Sequence, residues 1–424
     1  MAGPGIRYQN IAEQIKKVAS VTLAIFYNSK QAPMQDGVHP VKTTGDSFRK
    51  TFDKHDVIFA QWLSSEMLKY AHATGKIVIF DLYAPVPIEY LAGLEFSSNK
   101  IPPEKDLEFS GILDTYKQYL TLGDYFVCSN ERQRDFWIGF MTSANIFTPS
   151  NFGSHLKTDR IGLCPMGISS TPPSKKSLKL RERAGIGSDD FVLLWTGGIW
   201  DWFDAKIVIK AVNKLNNPRI KLVFMGTQHP NTKVYKKEML ESTVARKLAE
   251  DLSLTGKSVF FLDGWVDYED RASYLMDADV AIYADKDSVE TRFSHRTRVL
   301  DHIWAGLPTI CSQGDYLSDV LKDKRMGIVV ETRSATSFAN AIKKAYEEPA
   351  LLREIKSNIK SQSRSFTWDE LSSELLNFIE KAELKKSNKA SLVESPPLKP
   401  VNYRAMIPHR VKNSIKVLIG RIDV

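Results

Sequence analysis

The chain has 424 residues, 43% of them hydrophobic and 25% charged, with a net charge of +8. That length suits two or three domains with sizeable cores. No apolar run approaches the ~20 residues that cross a bilayer, and MAGPGIRYQN carries no apolar signal-peptide core. From Lys385 onward, nine Lys/Arg stand against Glu394 and Asp423, so this tail holds +7 of the +8 and the body is close to neutral. Such a distribution argues against a nucleic-acid enzyme, whose basic residues would run through its core domain. Cys128, Cys164 and Cys311 are odd in number and far apart, which suits a reducing cytosol and offers no metal-ligand spacing.

Gly3-Pro4-Gly5-Ile6-Arg7 precedes a helix expected from about Tyr8, and no strand stands before it. Such a glycine loop normally follows a first strand and lets a ligand reach the backbone. Either the sheet lacks that strand or Met1 is internal to a longer product; a flexible end is the plain alternative. Strands are expected at Val21–Tyr27, Val57–Gln61, Ile77–Asp81 and Tyr125–Cys128, with helices at Ser64–His72, Leu107–Leu122 and Asn130–Phe140. Apolar strands alternating with amphipathic helices indicate a mostly parallel, doubly wound sheet. Two polar clusters follow its strands, Asp81–Pro85 leading to Glu89, and Ser129-Asn-Glu131-Arg132-Gln-Arg134. Binding crevices of open α/β sheets lie beyond the strands' carboxyl ends. The competing role of the second cluster is helix capping by Ser129 or Asn130.

SSTPPSKKS, from Ser169 to Ser177, is a Pro/Ser-rich break, read as a hinge over 169–178 between a domain at 1–168 and another at 179–384. The second domain repeats the alternation: strands Phe191–Trp195, Lys221–Met225, Ser258–Leu262, Asp279–Ala284, Thr309–Cys311 and Gly327–Val330. Helices are expected at Ala205–Leu215, Val234–Leu252, Glu269–Met276, from Thr297, at Asp315–Leu321, Ala335–Tyr346, Pro349–Ser361 and Trp368–Leu384. Small or polar loops end several strands on one edge: Thr196-Gly-Gly198-Ile-Trp200-Asp201-Trp202, Gly226-Thr227 and Gly264-Trp265-Val266. Beside them, Arg292, His295, Arg296 and Arg298 crowd the start of the helix from Thr297. A helix start offers free N–H groups, and guanidinium forks grip phosphate oxygens, so this is a place for a diphosphate. Asp301, one turn inside, reaches sugar hydroxyls. The plain alternative is a surface helix with solvated arginines and an Asp301–Arg298 pair. Trp265 suits a core as well as a nucleobase.

GGIWDWFDAKIVIKA, FMGTQHPN, GWVDYEDRASYL and ETRFSHRTRVLDHIWAGLP together resemble the retaining family-4 glycosyltransferases of the GT-B fold, nearest to bacterial enzymes of cell-surface polysaccharide synthesis. GPGIRYQNIA, DLYAPVPIEYL and NERQRDFWIGF are similar to that group's first domain, so the likeness spans about residues 1–380, most specifically 195–315. It implies two facing Rossmann-like domains, a nucleotide-sugar on the second and an acceptor on the first. Gly3, Gly5, Arg7, Glu131 and Arg132 then fall on the acceptor side. Gly198, Trp200, Asp201, Gly226, Thr227, Trp265, Val266 and Asp301 fall around the donor. The family's paired glutamates stand eight residues apart. Asp301 takes the second place, toward the ribose, whereas Phe293 stands at the first. Glu290 is the nearest carboxylate. The family's Arg and Lys after the first strand of the second domain are replaced by Ile199–Trp202, so Arg296 and Arg298, with Arg292 beside them, are expected to stabilise the leaving diphosphate. Fixed cations there accelerate departure without a metal or other cofactor. An Asp285-x-Asp287 metal site is the rival reading.

In the tail, Val411, Ile415, Leu418, Ile419 and Ile422 share one helical face, with basic residues elsewhere. That predicts an amphipathic helix over 408–422 on an anionic inner-leaflet surface, suited to a polyprenyl-diphosphate-linked acceptor. A disordered tail or a helix docked on the protein's own body is the alternative. Two other functions share the fold: a nucleotide-sugar 2-epimerase, and a non-catalytic subunit that supports an active partner.

Overall fold

The computed structural model describes residues 3–27, 36–43, 46–97, 101–148, 160–174, 180–226, 239–264, 266–382 and 416–421. Thr227, Trp265 and most of the expected tail helix lie outside them. Strands β1 (Ser20–Tyr27), β2 (His39–Lys42), β3 (Val57–Ala60), β4 (Ile77–Asp81), β5 (Tyr125–Cys128) and β6 (Ile161–Leu163) belong to one sheet. A second sheet contains β7 (Phe191–Trp195), β8 (Ile220–Met225), β9 (Val259–Leu262), β10 (Val280–Tyr283), β11 (Thr309–Ser312) and β12 (Gly327–Val330). β13 (Lys416–Arg421) returns to the first sheet. The chain forms two compact units: Met1–Pro87 with Ile101–Met166 and Trp368–Val424, and Ile88–Lys100 with Gly167–Thr367.

The second unit carries the order β12-β11-β10-β7-β8-β9, every neighbouring pair parallel. From β7 the chain winds outward through β8 and β9, then crosses back to β10. The order therefore reverses between β7 and β10, where open α/β sheets bind ligands. Its core is apolar: Leu180, Val192, Leu194, Val223, Leu275 and Ala281 pack together. The helix Ala205–Leu215 buries Ile207, Val208, Ala211 and Val212, and Asp204 caps it through a 3.2 Å bond to the Ile207 N–H.

In the first unit the order is β2-β1-β13-β3-β4-β5-β6. β13 runs antiparallel to β1 and to β3, with Leu418 opposite Leu23 on one side and Phe59 on the other. The tail therefore supplies a central strand at 416–421, and the helix expected there is corrected. Periodicity cannot separate a strand from a helix in a run as short as Val417-Leu418-Ile419. Between β1 and β3 this segment satisfies the backbone groups of both neighbours.

Gly3 and Gly5 form no loop either. Both lie in the first turn of the helix Gly3–Ile15, where Pro4 is well tolerated because its φ suits a helix start. The helices Trp368–Leu371 and Ser373–Lys381, expected in the second domain, pack on the first unit instead. Phe378 stacks on Tyr125 with ring centroids 4.0 Å apart, and Glu374 accepts the Leu163 N–H at 2.9 Å. No helix among the described residues is long and apolar enough to cross a membrane.

Candidate active site

The residues after β7 set the floor of the site. Gly197 and Gly226 hold φ of +72° and +75°, conformations that other residues adopt only with strain. They close the carboxyl ends of the adjacent strands β7 and β8, and a Cβ on Gly226 would stand 3.9 Å from the Gly197 Cα. Trp200 and Trp202 stack beside them, with centroids 5.5 Å apart. Asp201 does not face this floor with its carboxylate; it accepts the Glu241 N–H at 3.0 Å.

Arg298 leans over this floor. Its Nη2 donates to the Gly198 carbonyl at 3.0 Å, and its guanidinium lies 3.9 Å from the Phe203 ring centroid and 5.4 Å from that of Trp195. Its Nη1 is buried and has no hydrogen-bond partner among the described residues. Burial pushes the pKa down to about 9, partly opposed by Asp285, so the group stays cationic at neutral pH. A buried cationic donor without a partner is costly, and an incoming anion relieves that cost.

Arg296 behaves differently from the expectation for it. Its Nε donates to Asp285 at 2.7 Å, and its Nη1 and Nη2 fork onto Glu290 at 2.9 and 2.7 Å, all three residues being buried. The two carboxylates more than neutralise it, so Arg296 ties the end of β10 to the short helix Val289–Phe293 and is not a free phosphate ligand. Glu290 is correspondingly committed on both oxygens and does not stand open to a sugar. Desolvation pushes Asp285 up to about 7, with the neighbouring Asp315 acting the same way and Arg296 opposing it.

The helix expected from Thr297 spans only Arg298–Trp304, has no side-chain cap, and already uses its first N–H groups. Val299 donates to the Arg296 carbonyl and Leu300 to that of Thr297, at 2.9 and 3.1 Å. Anion binding by free helix-terminal amides is therefore corrected; the side chain of Arg298 remains. Within the same helix, buried His302 spans Thr196 and Thr309, with Nε2 2.8 Å and Nδ1 3.0 Å from their hydroxyls. Burial, with the Arg298 charge, pushes its pKa down to about 3. Neutral His302 thus pins the helix to β7 and β11.

Asp301 pairs with Arg271 rather than Arg298, at 3.0 Å. Arg271 is a residue the sequence reading passed over, because the pair is 30 positions apart and follows no local spacing. Asp285 and Asp287 diverge: the first meets Arg296, and exposed Asp287 faces Arg333 at 3.5 Å. They do not form the paired carboxylates of the rival metal reading. Val266 is partly buried beside the undescribed Trp265, and Arg292 is exposed on its helix.

In the first unit, Arg7 is fully buried. It donates through Nε and Nη2 to Asp81, both at 2.7 Å, and through Nη2 to the Cys164 carbonyl. Arg7 thus braces the ends of β4 and β6. Asn130 accepts the Gln133 N–H at 3.0 Å, which is the capping role, while Glu131 is exposed and Arg132 half-buried on the first turn of the capped helix. The structure joins Arg7 to Asp81 and leaves Glu131 on the surface.

The family model described as "Glycosyl transferases group 1" matches residues 177–362. The matched stretch lies within the second unit and covers less than half of the chain. The likeness in fold extends beyond that stretch: the Anabaena protein Alr3699/HepE, solved in complex with UDP-glucose, superposes with a TM-score of 0.64 at 13% identity, covering 90% of this chain and 97% of that one. Sucrose-phosphate synthase (tll1590) from Thermosynechococcus elongatus gives a TM-score of 0.60 at 15% identity, with coverage of 84% and 87%. WaaG, a glycosyltransferase involved in lipopolysaccharide biosynthesis, gives 0.57 at 14% identity, with coverage of 90% and 97%. No curated protein matches the chain by sequence. The fold is GT-B.

Proposed function

We propose that this protein is a glycosyltransferase that moves a sugar, with retention, from a nucleoside diphosphate to a glycan or lipid-linked acceptor in cytoplasmic steps of cell-surface polysaccharide synthesis. The reading rests on one observation above the others: the buried, partnerless Nη1 of Arg298 over the glycine floor where the sheet order reverses. As the bond from the anomeric carbon to the diphosphate breaks, negative charge grows on the leaving oxygen. A fixed guanidinium there is worth more in that state than in the ground state. Glu290 and Asp285 are held by Arg296, which favours chemistry driven by the leaving group over chemistry driven by a carboxylate base. The acceptor hydroxyl then attacks the face that the diphosphate leaves. Asp301 receives the ribose, and Arg298 supplies the positive charge that a metal provides in other transferases.

The neighbour crystallised with UDP-glucose makes that compound the first donor to test, followed by GDP- and dTDP-sugars. Transfer to acceptor, or slow release of free sugar, is the expected result. Arg298→Ala should lower turnover at least a hundredfold, the scale of losing one transition-state donor. Wild-type turnover in that folded variant would remove the basis of the proposal.

A further inference from the structure

One arrangement in the second unit does more than hold the fold together. Arg271 is fixed on every side. Its Nε donates to Asp301 Oδ1 at 3.0 Å and its Nη1 to the Tyr268 carbonyl at 2.7 Å. Its guanidinium lies between two aromatic rings, 3.4 Å from the Tyr268 centroid and 4.3 Å from that of Trp304. The Trp304 ring is itself pinned, since its Nε1 donates to the Thr171 carbonyl at 2.9 Å. Cations held between aromatic faces lose little by being immobile, because the ring quadrupoles replace part of the hydration. The guanidinium fork is rigid and stays charged, so the carboxylate it grips is rigid too.

Asp301 keeps its other oxygen. Among the described residues Oδ2 takes no hydrogen bond, and the Asp301 side chain is 38% exposed against 13% for Arg271. The pair thus presents one ionised, oriented acceptor oxygen to solvent, with the counter-charge behind it. A carboxylate accepts hydrogen bonds and donates none, so its partner must bring hydroxyl donors. On the reading of this site as the donor pocket, those donors are the vicinal hydroxyls of a ribose.

We infer that Arg271 is a positioning residue: clamped between Tyr268 and Trp304, it orients Asp301 toward the ribose diol and makes the site select ribonucleoside over 2′-deoxyribonucleoside diphosphates. The inference rests on the donor-site reading above, and its test separates the two. Calorimetry on the full chain compares UDP with 2′-deoxy-UDP, and GDP with 2′-deoxy-GDP. A charge-assisted hydrogen bond to one hydroxyl corresponds to about a tenfold preference or more for the ribose form. Arg271→Met keeps an apolar stem between the rings and releases Asp301. It should bring the ratio of the two dissociation constants close to one while diphosphate-driven binding persists, and Asp301→Ala should do the same.

A loss of stability alone would lower both affinities and leave their ratio unchanged, so the ratio reports positioning. An unchanged ratio in folded Arg271→Met overturns the inference, as does a wild-type protein that binds both forms equally. If Arg271→Met does not fold, Asp301→Asn is read in its place, and a wild-type ratio there overturns the inference equally. Should no nucleoside diphosphate bind wild type, the donor-site reading itself fails and the inference falls with it.

Discussion

Replacing Arg296 with alanine should damage the fold, and replacing Arg298 should damage binding. Arg296 is the counter-charge of two carboxylates, Asp285 and Glu290, in a setting where all three side chains are at most 7% exposed. Removing one member of a buried pair typically costs about 3–5 kcal/mol, because the remaining charge has no partner. For a domain of this size each kcal/mol moves the melting midpoint by about 2–4 °C, so the second unit should melt about 6–20 °C lower. The lower end applies near neutral pH or below, since Asp285 already sits near pH 7 and can take a proton in place of the lost guanidinium. Arg298→Ala removes a cation that, among the described residues, has no carboxylate within bonding distance and one N–H without a partner. Its midpoint should stay level or rise, while affinity for a nucleoside diphosphate falls at least tenfold, the loss expected for one charge-assisted hydrogen bond. Thermal unfolding by circular dichroism and calorimetry with UDP, on both variants, test the pair together. A native midpoint with abolished binding in Arg296→Ala would refute this division of roles.

Acid stability should carry the signature of His302, whose folded pKa of about 3 lies below its ordinary value. The unfolded chain then binds the extra proton, so stability is present above about pH 6.5 and is lost toward pH 3, by at most about 1.4 kcal/mol per pH unit. Denaturant unfolding of His302→Asn should show a shallower acid loss, and identical slopes would contradict the assignment. Asp285 acts with the opposite sign: its raised pKa gives stability below about pH 4 that is lost as the pH rises to about 7. Asp285→Asn should therefore steepen the acid loss, again read by denaturant unfolding. Gly197→Ala meets no clash, its Cβ standing 4.0 Å from Arg298 Nη2, but it must adopt φ of +72°. It should lose about 1–2 kcal/mol and weaken diphosphate affinity by displacing the floor under Arg298, a shift that chemical denaturation and calorimetry resolve. Leu418→Pro removes a donor from a strand paired on both sides, so the first unit should unfold at lower denaturant. Unchanged unfolding there would mean that β13 does not support its sheet.

Much of the fold was legible because short apolar runs bounded by Gly, Asn and Asp can do little else. Ile77–Asp81, Tyr125–Cys128, Phe191–Trp195 and Gly327–Val330 lie where the sequence places them. β2 was not legible: HPVK is four residues long, contains a proline, and has one buried side chain, so no alternation marks it. The helix Val86–Ser97 escaped for the opposite reason, since its apolar residues do not favour one face. In the site, local sequence brings the basic residues near the right turn but cannot rank them. Arg296 and Arg298 are two positions apart and chemically identical. Only the approach of Asp285 and Glu290 to one guanidinium, and of Phe203 and Gly198 to the other, separates them.

That separation explains how a site can be cationic and still stable. A free pair of buried guanidiniums would repel each other and bear the cost of desolvation twice. Here Arg296 is neutralised by Asp285 and Glu290, and Asp285 also opposes the effect of burial on Arg298. Asp285 thereby serves the second arginine without a hydrogen bond to it among the described residues, leaving its Nη1 open. An anion at the glycine floor then meets a donor already desolvated and already aimed, and reorganisation at the moment of bond cleavage is small. Asp301, held by Arg271, lies three positions along the same helix Arg298–Trp304. One turn thus carries a cation for the diphosphate and a paired carboxylate for hydroxyl groups, and His302, next to Asp301, locks the helix to the sheet.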